Sequence, residues 1–194
     1  MTAPAGKKGK GNAKGDAVHA GDAVHAGDAG GLSHIDDHGH ARMVDVTGKA
    51  VTARRAVARC VVRANGEAIG GLHARPDDPL GTARVAGLQA AKLTSQLIPL
   101  CHPLPVDDVQ VDISVHADVV EIGASATVVE RTGVEMEALT ACGVAGLSVA
   151  MALLPADPRA CVDELTLWHK SGGRSGTWQR DAVAASAQSD LPKA

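Results

Sequence analysis

The sequence predicts an α+β domain, with helices packed on one face of a mainly antiparallel sheet. Three observations carry this expectation. Val109, Val111, Ile113 and Val115 alternate with Gln110, Asp112 and Ser114, the period-two pattern of a strand with one buried face. Two longer stretches, one opening at Asp78 and Pro79 and one closing before Pro155, have helical spacing and helical boundaries. Strands and helices do not follow a strict β-α-β alternation, which argues against a parallel sheet. A chain of 194 residues, 45% of them apolar, is long enough for one domain with a sizeable core.

The elements follow in order. Residues 1–30 are low in complexity, and 15–26 hold G-D-A-V-H-A twice. So little apolar surface cannot offset the entropy of ordering, and a disordered tail is expected there. His19 and His25 lie six apart in that tail without fixed geometry, so no metal site is read from them. The domain is expected over 31–180, with strands around 44–47, 53–62 and 162–168. Asp78 caps the first helix and Pro79 opens it. Ala86, Ala90, Leu93 and Leu97 form its expected apolar stripe, and Pro99 ends it. After strand 109–115, a turn at Ala117 and Asp118 leads into Val120, Ile122, Ala124, Ala126 and Val128, so an antiparallel hairpin is expected. The second helix is expected from Thr132 to just before Pro155, and residues 181–194 read as a second disordered end.

Composition excludes several functions. Trp168 and Trp178 are the only aromatic residues, so the base-stacking platforms of single-strand nucleic-acid readers are absent. A net charge of −3 agrees, since phosphate-backbone binders carry a basic excess. No nucleic-acid partner is expected. The longest apolar window, 138–154, is interrupted by Cys, Gly and Ser, so no membrane span is expected. Lys7, Lys8, Lys10 and Lys14 are followed by Gly, Ala, Asp and His rather than by a secretory apolar stretch, which suggests a cytoplasmic protein. Cys60, Cys101, Cys142 and Cys161 are irregularly spaced and signal neither a disulfide framework nor a structural zinc site.

Three segments can carry chemistry. In L-I-P-L-C-H-P-L, 97–104, Pro99 and Pro103 restrain the backbone around Cys101 and His102. His102 reads either as a proton shuttle or phosphate donor, or as a structural histidine. In R-T-G-V-E-M-E-A-L-T, 131–140, Thr132 and Glu135 have capping-box spacing, which gives Glu135 a structural reading beside a functional one. Glu137 lies about 200° further round the helix, so the two carboxylates do not share a face but can line different sides of a pocket. In K-S-G-G-R-S-G, 170–176, glycines with Lys170 and Arg174 can wrap amides and cations around phosphate, although the spacing is not that of a P-loop. A flexible exit linker reads as well there.

Together with A-R-M-V-D-V-T (41–47) and T-A-R-V-A-G-L-Q-A-A-K (82–92), these motifs stand in one order over residues 32–178. The chain resembles the MoaC family, the cyclic pyranopterin monophosphate synthases of molybdenum cofactor biosynthesis. The resemblance implies a ferredoxin-like α+β fold, a homohexamer built as a trimer of dimers, and an active site between subunits. It implies conversion of a cyclic dihydroguanosine triphosphate to cyclic pyranopterin monophosphate with release of pyrophosphate, without an organic cofactor or a metal. Carried over by position, Leu100, Cys101, His102, Met136, Glu137 and Lys170 contact substrate, and His102, Glu135, Glu137 and Lys170 are the catalytic candidates.

One family feature is replaced. The long helix of the family carries an Asp-x-x-Lys catalytic pair, and ungapped counting from Thr132 to Lys170 puts Met151 and Leu154 at those positions. A further family lysine falls at Pro76, beside Arg75. Asp157 follows Pro155 and does not lie on the helix. Val144, Leu147, Met151 and Leu154 form an apolar stripe expected to pack. Two expectations follow: a working lyase in which Arg75, Lys170 or a neighbouring subunit supplies the lost groups, or a catalytically impaired homologue that binds nucleotide or assembles with an active paralogue.

Overall fold

The computed structural model describes residues 34–36 and 38–181, together with residue 2. Apart from residues 2 and 181, the tails expected at 1–30 and 181–194 lie outside the described residues, as do the repeat, His19 and His25. The elements are β1 (Thr52–Arg63), α1 (Gly66–Gly70), a 3₁₀ turn (Leu72–Ala74), α2 (Pro79–Lys92), α3 (Thr94–Leu97), β2 (Asp108–Val115), β3 (Val119–Glu130), α4 (Glu135–Leu153), β4 (Cys161–Ser171) and β5 (Trp178–Gln179). The five strands form one sheet in the order β2-β3-β1-β4-β5, and every pairing is antiparallel. With the long helices on one face, this is a ferredoxin-like α+β fold.

Strand alternation decides which face the helices cover. Ala56, Ala58, Cys60 and Val62 of β1 pair with Ala126, Ala124, Ile122 and Val120 of β3, and all eight are at most 1% exposed. Helix α4 lies on β1, β3 and β4, while α2 packs on α4 and β2. A core of small residues lets these elements approach closely. At Gly87 of α2 an added Cβ would stand 2.8 Å from the Ala141 carbonyl oxygen of α4 and 3.1 Å from Val111 Cγ2. Gly87→Ala therefore gains up to about 1 kcal/mol of helix propensity but forces the helices apart, at a cost of about 1–3 kcal/mol. Because the clash is with backbone, the variant is expected to be net destabilised. Equilibrium urea unfolding measures this, and a variant as stable as the parent would disprove the close contact.

The hairpin is confirmed: β2 and β3 pair from Val115 and Val120 outward, and the His116 amide donates to the Val119 carbonyl across the turn. Strands β1 and β4 also stand where expected, each extending further. Four expectations are corrected. Residues 44–47 form no strand, because Asp45 turns back locally and accepts hydrogen bonds from the Thr47 amide (2.9 Å) and hydroxyl (2.8 Å). The first helix breaks at Leu93 (φ −101°, ψ 4°) into α2 and α3, and its buried stripe is Leu80, Ala83, Gly87, Ala90, Ala91 and Thr94. Leu97 is 54% exposed, so the expected stripe was misaligned with the face that meets α4.

The second helix starts at Glu135 rather than Thr132, and its N-cap, Val134, offers no side-chain cap. The Thr132–Glu135 capping box does not form, since the Glu135 carboxylate is engaged elsewhere. Finally, Leu147 (62%), Met151 (64%) and Leu154 (44%) are exposed, so these residues on the outer face of α4 are not packed into the core of the described residues. Helix α4 is also long and apolar enough by composition to cross a membrane, with a mean hydropathy of 1.6, which the sequence had not suggested. Half of that window is buried in the fold, where α4 is the core helix.

Candidate active site

Two cavities meet at the start of α4. The larger, about 250 Å³, is walled by Leu100, Cys101, His102 and Leu104 from the segment after α3 and by Thr132, Gly133, Glu135, Met136 and Glu137 from the entry to α4. His34 completes it. The smaller, about 50 Å³, is walled by Arg54 and Arg55 of β1, by Gly133, Val134 and Glu135, and by Lys170, Ser171, Gly172 and Ser175 of β4 and its following turn. Gly133 and Glu135 belong to both. The three segments singled out in the sequence therefore line two neighbouring cavities with a shared wall.

Local backbone features place these side chains. Leu100 adopts φ +68°, a conformation that costs a non-glycine residue about 1 kcal/mol or more, and it turns the proline-bounded segment so that Cys101 and His102 reach the cavity. Lys170 is set by sheet register, because Ala56 pairs with Lys170 and Arg55 with Ser171, which draws cations from two strands together. The glycines after Lys170 close a turn into β5, which pairs back on β4, so K-S-G-G-R-S-G is not an exit linker. Gly172 has φ +94°, and a Cβ there would collide with the Ala53 carbonyl oxygen. Only glycine fits that position.

The charges are arranged in sequence across the two cavities. Lys170 Nζ donates to Glu135 Oε1 at 3.2 Å, with each side chain about one third exposed (32%). Glu137 is 4% exposed. Burial, seconded by the charge of Glu135 and opposed by its own backbone amide, pushes its carboxyl up to about 7. Burial first, and the Glu137 charge second, raise the Cys101 thiol, which therefore stays a thiol rather than a nucleophilic thiolate. A carboxyl poised near neutrality, in a cavity that an imidazole also lines, can both give and take a proton. A nearby set of Lys170, Arg54 and Arg55 can neutralise an anion.

Residues 43–173 match the MoaC family. The chain belongs to that family. Among its relatives, the cyclic pyranopterin monophosphate synthase 2 of Mycobacterium tuberculosis (strain ATCC 25618 / H37Rv) is 48% identical over 157 residues, covering 78% of this chain and 93% of the relative. The cyclic pyranopterin monophosphate synthase of Streptomyces coelicolor is 49% identical over 152 residues, covering 77% and 89%. That of Novosphingobium aromaticivorans is 48% identical over 151 residues, covering 76% and 96%.

In this MoaC protein every carried-over contact residue lines one of the two cavities: Leu100, Cys101, His102, Met136 and Glu137 the larger, Lys170 the smaller. Met151 and Leu154 line neither. From Glu137 to Met151 the helix runs about 21 Å at 1.5 Å per residue. Arg75 stands at that far end, where its guanidinium binds both oxygens of Asp77 and donates to the Ala152 carbonyl at 2.8 Å. It holds the end of α4 rather than facing the cavities. Asp157 is 4% exposed and accepts from the Asn65 amide at 2.8 Å and the Arg159 amide at 3.1 Å, a clamp between the connector and the end of β1. Trp168, two residues before Lys170, lies under the Arg59 guanidinium at 4.4 Å and lines neither cavity. Sequence reading missed three lining residues, His34, Arg54 and Arg55. The arginines are adjacent on one strand, and only the β1 to β4 register reveals what they face.

Proposed function

We propose that this chain is a cyclic pyranopterin monophosphate synthase of molybdenum cofactor biosynthesis, acting on a cyclic dihydroguanosine triphosphate and releasing pyrophosphate. The observation that carries this reading is the convergence of 100–102, 135–137 and Lys170 around two neighbouring cavities that share Glu135 as a wall. Lys170, Arg54 and Arg55 hold the phosphate chain and neutralise the departing pyrophosphate. Glu137, at about 7, and His102 exchange protons with the rearranging ring. Glu135 holds Lys170 in place through their 3.2 Å pair. The ligand is held by polar and charged groups, in keeping with a chain almost free of aromatics.

The protein works as a cytoplasmic homohexamer, a trimer of dimers, on this reading. The exposed apolar face of Leu147, Met151 and Leu154 supports the assembly, since no described residue covers it. Met151 and Leu154 line neither cavity of their own chain, so on this reading groups at 151 and 154 would serve a ligand held by a neighbouring chain.

A second reading, a catalytically impaired homologue that binds nucleotide or assembles with an active paralogue, is favoured by one observation: no titratable group stands at Met151 or Leu154. Turnover of the purified protein, beside a Met151→Asp, Leu154→Lys double variant, separates the two. A working enzyme is expected to turn over within about tenfold of the variant, because the local acid and base groups suffice. Turnover by the variant alone, with nucleotide bound by both, would establish the impaired reading instead.

A further inference from the structure

We infer that His34 is a ligand-contacting residue of the larger cavity, donating a hydrogen bond to an oxygen of the phosphorylated guanine-derived ligand. It deepens the function proposed above and rests on it. His34 stands nine residues before the segment that matches the family, 43–173, yet it lines the same cavity as His102 and Glu137.

A short hairpin carries it there. Ile35 bridges Ala41, the Arg42 amide donates to the His34 carbonyl at 2.8 Å, and the Asp36 amide donates to the His40 carbonyl at 2.9 Å. One carboxylate oxygen of Asp36 accepts from the amides of His38 (2.9 Å) and His40 (2.8 Å), and Gly39, at φ +82°, closes the turn. So much local hydrogen bonding around a turn fixes the start of the hairpin, where His34 sits.

The imidazole itself remains uncommitted. Its ring makes no hydrogen bond to any described residue, whereas Glu135 is tied to Lys170 and Glu137 is buried. The α4 side of the cavity supplies two carboxyls, which suit the donors of a ligand's ring. A phosphorylated nucleotide also brings acceptor oxygens, and His34 supplies an N–H to meet one, in either the neutral or the protonated state. Because the side chain is exposed in the free protein, replacing it removes the contact without opening the core.

The test compares the full chain with His34→Ala and His34→Asn, using cyclic dihydroguanosine triphosphate for turnover and for calorimetric binding. The inference expects His34→Ala to raise KM and Kd about tenfold or more, with Tm unchanged, and His34→Asn, which keeps an N–H donor, to lose less. KM, kcat and Kd all within twofold of the parent in His34→Ala would overturn it, as would a fall in Tm that accounts for the loss. If the parent binds without turning over and His34→Ala binds more weakly, the inference stands and the enzyme reading falls. If the parent does not bind the nucleotide, both fall.

Discussion

Glu137→Gln is expected to lower turnover by about 10²- to 10⁴-fold, the worth of one well-placed acid or base, while making the protein more stable in alkali. The two effects have one origin. Glu137 is buried beside Glu135, and its carboxyl is raised from 4.5 to about 7. A carboxyl raised in the folded state favours folding in its neutral form. Its contribution is complete below pH 4.5 and lost as pH rises through 7, a span worth about 3 kcal/mol. Glutamine keeps the shape but cannot ionise. Parent and variant should unfold at nearly the same urea concentration at pH 4, below the unfolded value of 4.5, and the variant should be more stable by up to about 3 kcal/mol at pH 8. Turnover of the parent should show an inflection near pH 7 that the residual activity of the variant lacks. Equal stability at pH 8 would mean that Glu137 is not held in a desolvated place, and the catalytic assignment would lose its physical basis.

The contrast between legible and illegible parts of the chain follows the range of the forces. The β2 and β3 hairpin is readable because alternation and a two-residue turn are local, and so is the start of α2, where Asp78 accepts from the Gly81 amide at 2.9 Å. The start of α4 is not, because a partner 35 residues away takes the Glu135 carboxylate that the local sequence assigns to a cap. The break at Leu93 carries no proline or glycine. Its packing against α4, through Gly87, is a property of two helices together. The same division runs through the candidate site. Leu100, Cys101, His102, Glu137 and Lys170 stand in distinctive motifs, whereas Arg54 and Arg55 look like the ordinary solvated residues of a strand. The stripe from Leu147 to Leu154 teaches the converse lesson. Helical periodicity identified an apolar face correctly, but it does not say whether that face turns toward its own core or away from it.

Lys170→Met tests whether the two cavities act as one site, and its expected effects are separable. The first is on binding: loss of the cation that faces the smaller cavity with Arg54 and Arg55 should lower kcat/KM by about 10- to 100-fold, chiefly through KM, because a charge-assisted contact to phosphate is lost. The second is on the proton chemistry next door. Glu135 raises the Glu137 carboxyl through its charge, and Lys170, 3.2 Å from Glu135, offsets that charge. Without the lysine, the full charge of Glu135 acts on Glu137, so the inflection near pH 7 should move to higher pH. Lys170→Arg, which keeps the charge, should leave it in place. Stability should change little, under about 1 kcal/mol, since the pair is one third exposed and water rehydrates Glu135 when its partner is gone. An inflection unmoved in Lys170→Met would show that the ion pair does not tune Glu137. Binding and proton transfer would then be independent functions of neighbouring cavities, joined by Glu135 in space but not in charge.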